Sequence, residues 1–322
     1  MIFTSIPDNY APITAPLLYH FDLEEERQVV DVKIIDATRS ETLAIKRLYN
    51  RQSAVVDIQP YIARCLDYRS VGNEALLSVA EGLFAKIIVE VDGVSSDERI
   101  FSPYRVESGC GTLFQTTLKS QNLSQGESDY IIVYAPNGGS AFIDSYAGEE
   151  VIDTISMAIE AMPELQILKI APSQISADVD SILVEVDIEG VFYYQSYHIV
   201  PKIEGSTRLI WVAEDGSLQL YTFPICRTRR SLVEKHRVEG REGMRTTHSR
   251  AQVVRTLISD YGTASEMESL GEILASKLVW IDKDGRCEKV DVLSTESVVR
   301  YGGVLNSLQV EVQMSRGGGL AL

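Results

Sequence analysis

The run from Ser181 to Val200 constrains this chain more than any other. Val184, Val186 and Ile188 alternate with Glu185, Asp187 and Glu189, and a period of two puts the two sets on opposite sides of an extended strand. One side is dry and the other wet. The chain turns at Glu189-Gly190 and returns as VFYYQSYHIV (191–200), so a pair of strands is expected here.

The same grammar recurs from end to end. VVDVKII (29–35), LAIKRLY (43–49), AVVDIQPYI (54–62) and KIIVEV (86–91) read as short β segments, the last closed by the turn signal Asp92-Gly93. IIVYAP and AFIDSY flank Asn137-Gly138-Gly139, which predicts a hairpin or a loop between strands. Leu209–Val212 and LQLYTF (218–223) surround Asp215-Gly216, and LVWI (278–281) and CEKVDVL (287–293) surround Asp284-Gly285. VVRTLIS (253–259) and SLQVEVQM (307–314) add two more strands before a flexible tail at Arg316-Gly-Gly-Gly. Between Glu149 and Met162, Ile152, Ile155, Ile159 and Met162 have helical spacing but strand-favouring side chains, and the segment stays open between the two. Ser265 and Glu268 fit a capping box opening a helix over about 265–276, with Met267, Leu270, Ile273 and Leu274 on its apolar face. No period of about 20–50 residues marks a solenoid or propeller.

A chain of 322 residues exceeds what one core usually supports. Punctuation at Phe101-Ser102-Pro103 and at Pro201–Gly205 divides it into 1–102, 103–204 and 205–322. The expected fold is mainly β, with tandem β-sandwich-like domains, the C-terminal one α+β with a single helix packed on a sheet. With 45% hydrophobic and 24% charged residues, the whole chain is expected to fold. A net charge of −16 repels phosphate backbones and anionic membranes, which argues against nucleic acid and membrane as partners. The apolar runs are strand-length, far short of the ~20 residues of a membrane helix. The start, MIFTSIPDNY, lacks the features of a secretory signal. Cys65, Cys110, Cys226 and Cys287 are far apart, form no CxxC pair and read as reduced and mostly buried.

One stretch carries a family likeness. The strand-turn-strand from Leu209 to Phe223 contains a WxxxxGxxxxYxF pattern, namely Trp211, Gly216, Tyr221 and Phe223, and a basic segment and a strand-helix-strand run over Thr256–Leu293 follow it. Together with Pro7-Asp-Asn-Tyr and Val56-Asp-Ile-Gln-Pro-Tyr61, this resembles tail-associated structural proteins of bacteriophages and prophages of gut Bacteroidales. The likeness touches most of the chain, although the turn Glu214-Asp215-Gly216 departs from the Asn-Arg-Phe-Gly type usual there. It implies a part in a tail or baseplate, repeated contacts between protein subunits, a homo-oligomer, and a cytoplasmic assembly phase followed by residence in the particle.

Catalytic templates are missing. The chain contains neither the GxSxG of a serine-hydrolase elbow nor a GxxxxGK phosphate loop, and Ser140 reads as a turn residue. His20, His198, His236 and His248 lie in no HExxH-like register, and none is expected to bind metal. Asp282-Lys-Asp284-Gly-Arg lacks the late glutamate of a calcium loop and reads as a hairpin turn. Glu24-Glu25-Glu26 reads as a solvated turn or a weak cation patch. Carboxylates converging from loops leave a hydrolase as a third reading. No catalytic residue, cofactor or metal is therefore expected.

Two features point to contacts instead. Arg227, Arg229, Arg230, Lys235, His236, Arg237, Arg241, Arg245 and Arg250 concentrate positive charge in an acidic chain. They form a mobile solvated linker, a docking arm for the acidic surface of a neighbouring copy or, least favoured because no aromatics are interleaved for stacking, a nucleic-acid contact. Phe192, Tyr193, Tyr194 and Tyr197 alternate across one strand, so some must be exposed unless another domain covers them. The expected interaction surface is Tyr193, Tyr194, Tyr197, Trp211, Tyr221 and the cations from Arg227 to Arg241. The runner-up is a carbohydrate- or protein-binding module of a bacterial surface system.

Overall fold

The computed structural model describes residues 1–322 apart from positions 12, 14, 63–64, 67–74, 105, 107–109, 115–117, 119, 176–178, 214–216, 241–242, 284–285 and 316–322. The turns at Asp215-Gly216 and Asp284-Gly285, the tail from Arg316, and Arg241 fall outside the described residues. The period-two segments become strands of four sheets. The protein is mainly β, built of tandem β-sandwich-like units, with one short helix near the C-terminus.

The first unit holds β1 (Ile2–Ser5), β2 (Leu18–Asp36), β3 (Glu41–Asp57), a single turn α1 (Gln59–Ile62), β4 (Leu77–Val79), β5 (Ala85–Val91), β6 (Val94–Ser95) and β7 (Arg99–Phe101). All of these strands except β4 make one six-stranded sheet. β3 follows one edge of β2, while β1 and β5 share the other edge at opposite ends. Alternation works as the sequence demands: Val30, Val32 and Ile34 of β2 and Ile87, Val89 and Val91 of β5 are fully buried, under Ile58, Ile62 and Phe101. Pairing breaks between Asp22↔Ser53 and Arg27↔Arg51. The extra residues form a bulge that extrudes Glu24-Glu25-Glu26 into solvent.

The middle unit is a sandwich. Its strands are β8 (Thr112–Phe114), β9 (Ser120–Ser124), β10 (Asp129–Tyr134), β11 (Gly139–Ala147), β12 (Glu150–Ile159), β13 (Leu165–Ile170), β14 (Ser181–Ile188) and β15 (Val191–Val200), with a turn of helix α2 (Pro172–Ile175). One sheet runs β4-β13-β10-β8, the other β12-β11-β14-β15-β9. The sheets enclose Ile131, Val133, Leu168, Ala141, Ile143, Val184 and Val186. β4 belongs to this sandwich although its sequence lies among first-unit strands. Asn137-Gly138-Gly139 carries the chain from one sheet to the other, so it makes no hairpin. The segment left open between helix and strand is β12, an edge strand exposed along most of its length.

The third unit contains β16 (Thr207–Val212), β17 (Leu218–Phe223), β18 (Ile225–Gly240), β19 (Gly243–Ile258), α3 (Ala264–Gly271) with a following 3-10 turn to Leu274, β20 (Val279–Lys283), β21 (Arg286–Val292) and β22 (Gln309–Ser315). Its seven-stranded sheet runs β17-β16-β20-β21-β22-β19-β18. Only Pro224 separates the two edge strands, so the edges meet within about 7 Å there and the sheet is strongly coiled. Thr263, rather than Ser265, caps the helix: its hydroxyl accepts from the Glu266 amide and the Glu266 carboxylate accepts from the Thr263 amide. Met267, Leu270 and Ile273 then pack on Leu209, Trp211, Phe223 and Val310.

Two apolar seams join the units. Tyr10, Leu83, Phe84 and Tyr104 pack on Ile132, Tyr134 and Ile167, the faces of β10 and β13 turned away from the sandwich core. Ile210, Leu218, Leu220 and Trp280 pack with Tyr130. Strands such as β10 and β16 are thus buried on both faces, which explains their unbroken apolar runs IIVY and LIWV.

Candidate interaction surfaces

The basic segment is a paired structure, which corrects the linker reading. β18 and β19 pair in register from Ile225↔Ile258 out to Gly240↔Gly243, with two bulges. β22 supports β19 only over Gln252–Ile258. Beyond that point the ribbon has no third strand among the described residues, and the eight residues of β18 from Val233 to Gly240 span about 26 Å. Every described side chain of β18 from Arg227 to Glu239 is exposed, including Leu232, Val233 and Val238. Residues 225–258 carry nine Arg and Lys against three Glu, a net of +6, which leaves −22 on the rest of the chain. Arg230 is bridged to Glu311 through two contacts of 3.0 Å. Arg227, Arg229, Lys235, Arg237 and Arg245 stand in solvent. His236 and His248, which sequence spacing kept apart, are direct cross-strand neighbours.

The second surface is the outer face of the β12-β11-β14-β15 sheet. Alternation sends Tyr193 and Tyr197 inward and Phe192 and Tyr194 outward, the latter two half exposed. Register aligns Ser156, Phe142, Glu185 and Tyr194 in one row and Ser140, Asp187 and Phe192 in the next. Asp144 follows, holding the Thr154 hydroxyl at 2.7 Å. Asp144, Glu185 and Asp187 lie on this face, and none of the four strands contains a Lys or Arg. The face is therefore aromatic and acidic.

Tyr197, Trp211 and Tyr221 do not belong to a surface. Tyr197 sits in the sandwich core, and Trp211 and Tyr221 lie under α3. The aromatic hairpin of the sequence is a core hairpin: Tyr221 and Phe223 rings meet edge-on at 5.0 Å, and the Tyr221 hydroxyl accepts from the Asp260 amide at 3.0 Å. Burial pushes the Tyr221 phenol up to about 12.

A buried polar cluster ties the middle and third units together. Arg208 of β16 donates to the Ser128 carbonyl at 2.7 Å and the Thr222 hydroxyl at 2.9 Å. Its guanidinium lies 3.6 Å from Asp129 and 3.9 Å from Glu127. Asp129 has no exposed surface, and its desolvation outweighs the nearby cation and raises its pKa. The Tyr197 hydroxyl faces the same carboxylate, and burial raises its pKa as well. The Tyr104 hydroxyl accepts from the Leu218 amide at 3.2 Å, adding another tie to the third unit.

Chemistry-bearing geometry is sparse. Two open recesses of about 430 and 440 Å³ are lined by residues such as His20, Asp22 and Arg51, and by Asn137, Ser140, Asp187 and Glu189. Among the described residues no three His, Cys, Asp or Glu side chains are grouped to hold a metal, and no helix is long and apolar enough to cross a membrane. None of the four cysteines is in a disulfide, but only Cys65 is buried, and burial lifts its thiol to about 11; Cys110 is exposed.

Comparison with known proteins found no matching family model and no matching curated protein. Among solved structures, the chain is similar to the extracellular domains 3–5 of Drosophila OTK, at 9% identity over 79% of this chain and 91% of that one, with a TM-score of 0.25. It is also similar to the crystal structure of Dpr2 Ig1-Ig2 in complex with DIP-Theta Ig1-Ig3, at 6% identity over 98% of this chain and 89% of that one, with a TM-score of 0.20.

Proposed function

We propose that this chain is a structural subunit of a phage or prophage tail, in the baseplate or tail-tip region, acting through contacts between subunits and not as an enzyme. The observation that carries the reading is the cationic β18–β19 ribbon projecting from an acidic body. A two-stranded ribbon is at best marginally stable alone. This one leaves Leu232, Val233, Val238 and Met244 uncovered, so a neighbouring acidic subunit would supply both counter-charge and apolar cover. Units welded by seams and by Arg208 suit a part whose job is to hold surfaces at fixed angles. The likeness over Leu209–Phe223 and Thr256–Leu293 points the same way. Purified chain is expected to form closed rings or stacked particles by light scattering and negative-stain imaging, and a strict monomer at all accessible concentrations would overturn the reading.

The exposed Phe192 and Tyr194 beside Glu185 and Asp187 favour a second reading, a carbohydrate- or protein-binding module of a bacterial surface system. Glycan-array binding by a monomer, lost in Tyr194→Ala, would select it.

A further inference from the structure

Resting on the assembly reading, we infer that the ribbon of one copy docks on the outer face of the β12-β11-β14-β15 sheet of a second copy. The two surfaces match in charge, in chemistry and in repeat. Between Gly139 and Val200 there are eleven Asp and Glu and a single basic residue, Lys169, which lies in the opposite sheet of the sandwich. The ribbon has the opposite sign.

Arg229, Val233, Lys235 and Arg237 share one side of β18 by strand alternation. Arg230, on the other side, is already engaged by Glu311. A guanidinium settles on an aromatic face and pairs with a carboxylate at once, and Phe142, Phe192 and Tyr194 stand among Asp144, Glu185 and Asp187 on the receiving face. Side chains on both partners repeat every second residue, about 6.6–6.8 Å, so Lys235 and Arg237, in successive rows of β18, match carboxylates in successive rows of the face, such as Glu185 and Asp187. Val233 would meet the aromatic ring edges.

Within one chain the ribbon and Phe192 are both exposed, so the contact is between copies. Donor and acceptor are different patches of the surface. Such a contact is either reciprocated about a two-fold axis as an arm-exchanged dimer or made once per pair, head to tail, so that it runs into a ring or an open filament.

Charge reversal in the full chain tests this. An arm variant, R229E/K235E/R237E, and a face variant, S156R/E185R, are each expected to associate at least about tenfold more weakly than the native chain, by sedimentation velocity. Both should keep the native circular dichroism and melting profile, since every altered side chain is at the surface. An equimolar mixture of the two variants should recover association, because each reversed arm then meets a reversed face. If the arm variant dissociates and the face variant assembles normally, the arm docks elsewhere and the inference falls while the assembly reading stands. If the native chain is itself monomeric, the assembly reading falls with it.

Discussion

Arg208 concentrates more consequence than any other charged residue described. Its guanidinium is buried with Asp129, so removing it strands a carboxylate that has no route to water. Arg208→Leu should cost about 3–5 kcal/mol in urea unfolding, whereas Arg47→Ala, which breaks an exposed pair with Asp31, should leave the midpoint unchanged within error. Tyr221 gives a pH signature. Its phenol has an ordinary value of 10.0 and is raised to about 12 by burial, so the folded state holds this proton longer than the unfolded chain does. The stability it contributes is complete below about pH 10 and is lost as pH rises through about 12. Urea midpoints should fall from pH 9 to pH 11, and Tyr221→Phe should flatten part of that fall. Among the cysteines, Cys110 should react first with a thiol reagent at pH 8. Cys65, buried and with its thiol raised to about 11, should react only on unfolding, as read by labelling with and without denaturant.

At the scale of elements, strands were legible wherever one face is dry. Val184, Val186 and Ile188 show this in β14, and Met267 and Leu270 of α3 with Ile273 of the following 3-10 turn are the helical counterpart. Three things were not legible, each for a physical reason. β18 and β19 are exposed on both faces over the ribbon, so no apolar period marks them and their charge dominates the reading. β12 is an exposed edge whose isoleucines sit at helical spacing without packing as a helix. Trp211 and Tyr221 look like surface residues in the sequence because strands covered on both sides show aromatics without alternation, and whether an aromatic faces solvent or a second layer depends on partners distant in sequence. The turn at Gly139 shows how tightly sheet pairing is set. A Cβ there would come within 2.5 Å of the Asp187 carbonyl oxygen, a backbone atom with little freedom to retreat. Gly139→Ala should therefore lower stability by about 1–3 kcal/mol by overpacking, measured by the urea midpoint.

For the molecule as a whole, the question is whether three cores behave as one. Chains of several domains commonly unfold in steps, and steps would let the ribbon of the third unit swing relative to the aromatic and acidic face of the middle one. The seams oppose that. Tyr104 and Tyr134 lie between the first and middle units, Tyr130 and Trp280 between the middle and third, and β4 ties first-unit chain directly into the sandwich. Exposing any of these surfaces uncovers large apolar side chains and, at Arg208, a charge. Both tryptophans, Trp211 and Trp280, are buried in the third unit, so their fluorescence reports that unit alone while far-ultraviolet circular dichroism reports every sheet. The two urea transitions of the native chain should superimpose. In Arg208→Leu the fluorescence transition should move to lower urea ahead of the dichroism, because the tie it removes is the one between the middle and third units. Separate transitions in the native chain would mean that the seams do not couple the cores. The angle between ribbon and receiving face would then be free, and the arm-to-face contact would give particles of mixed size in place of one closed form.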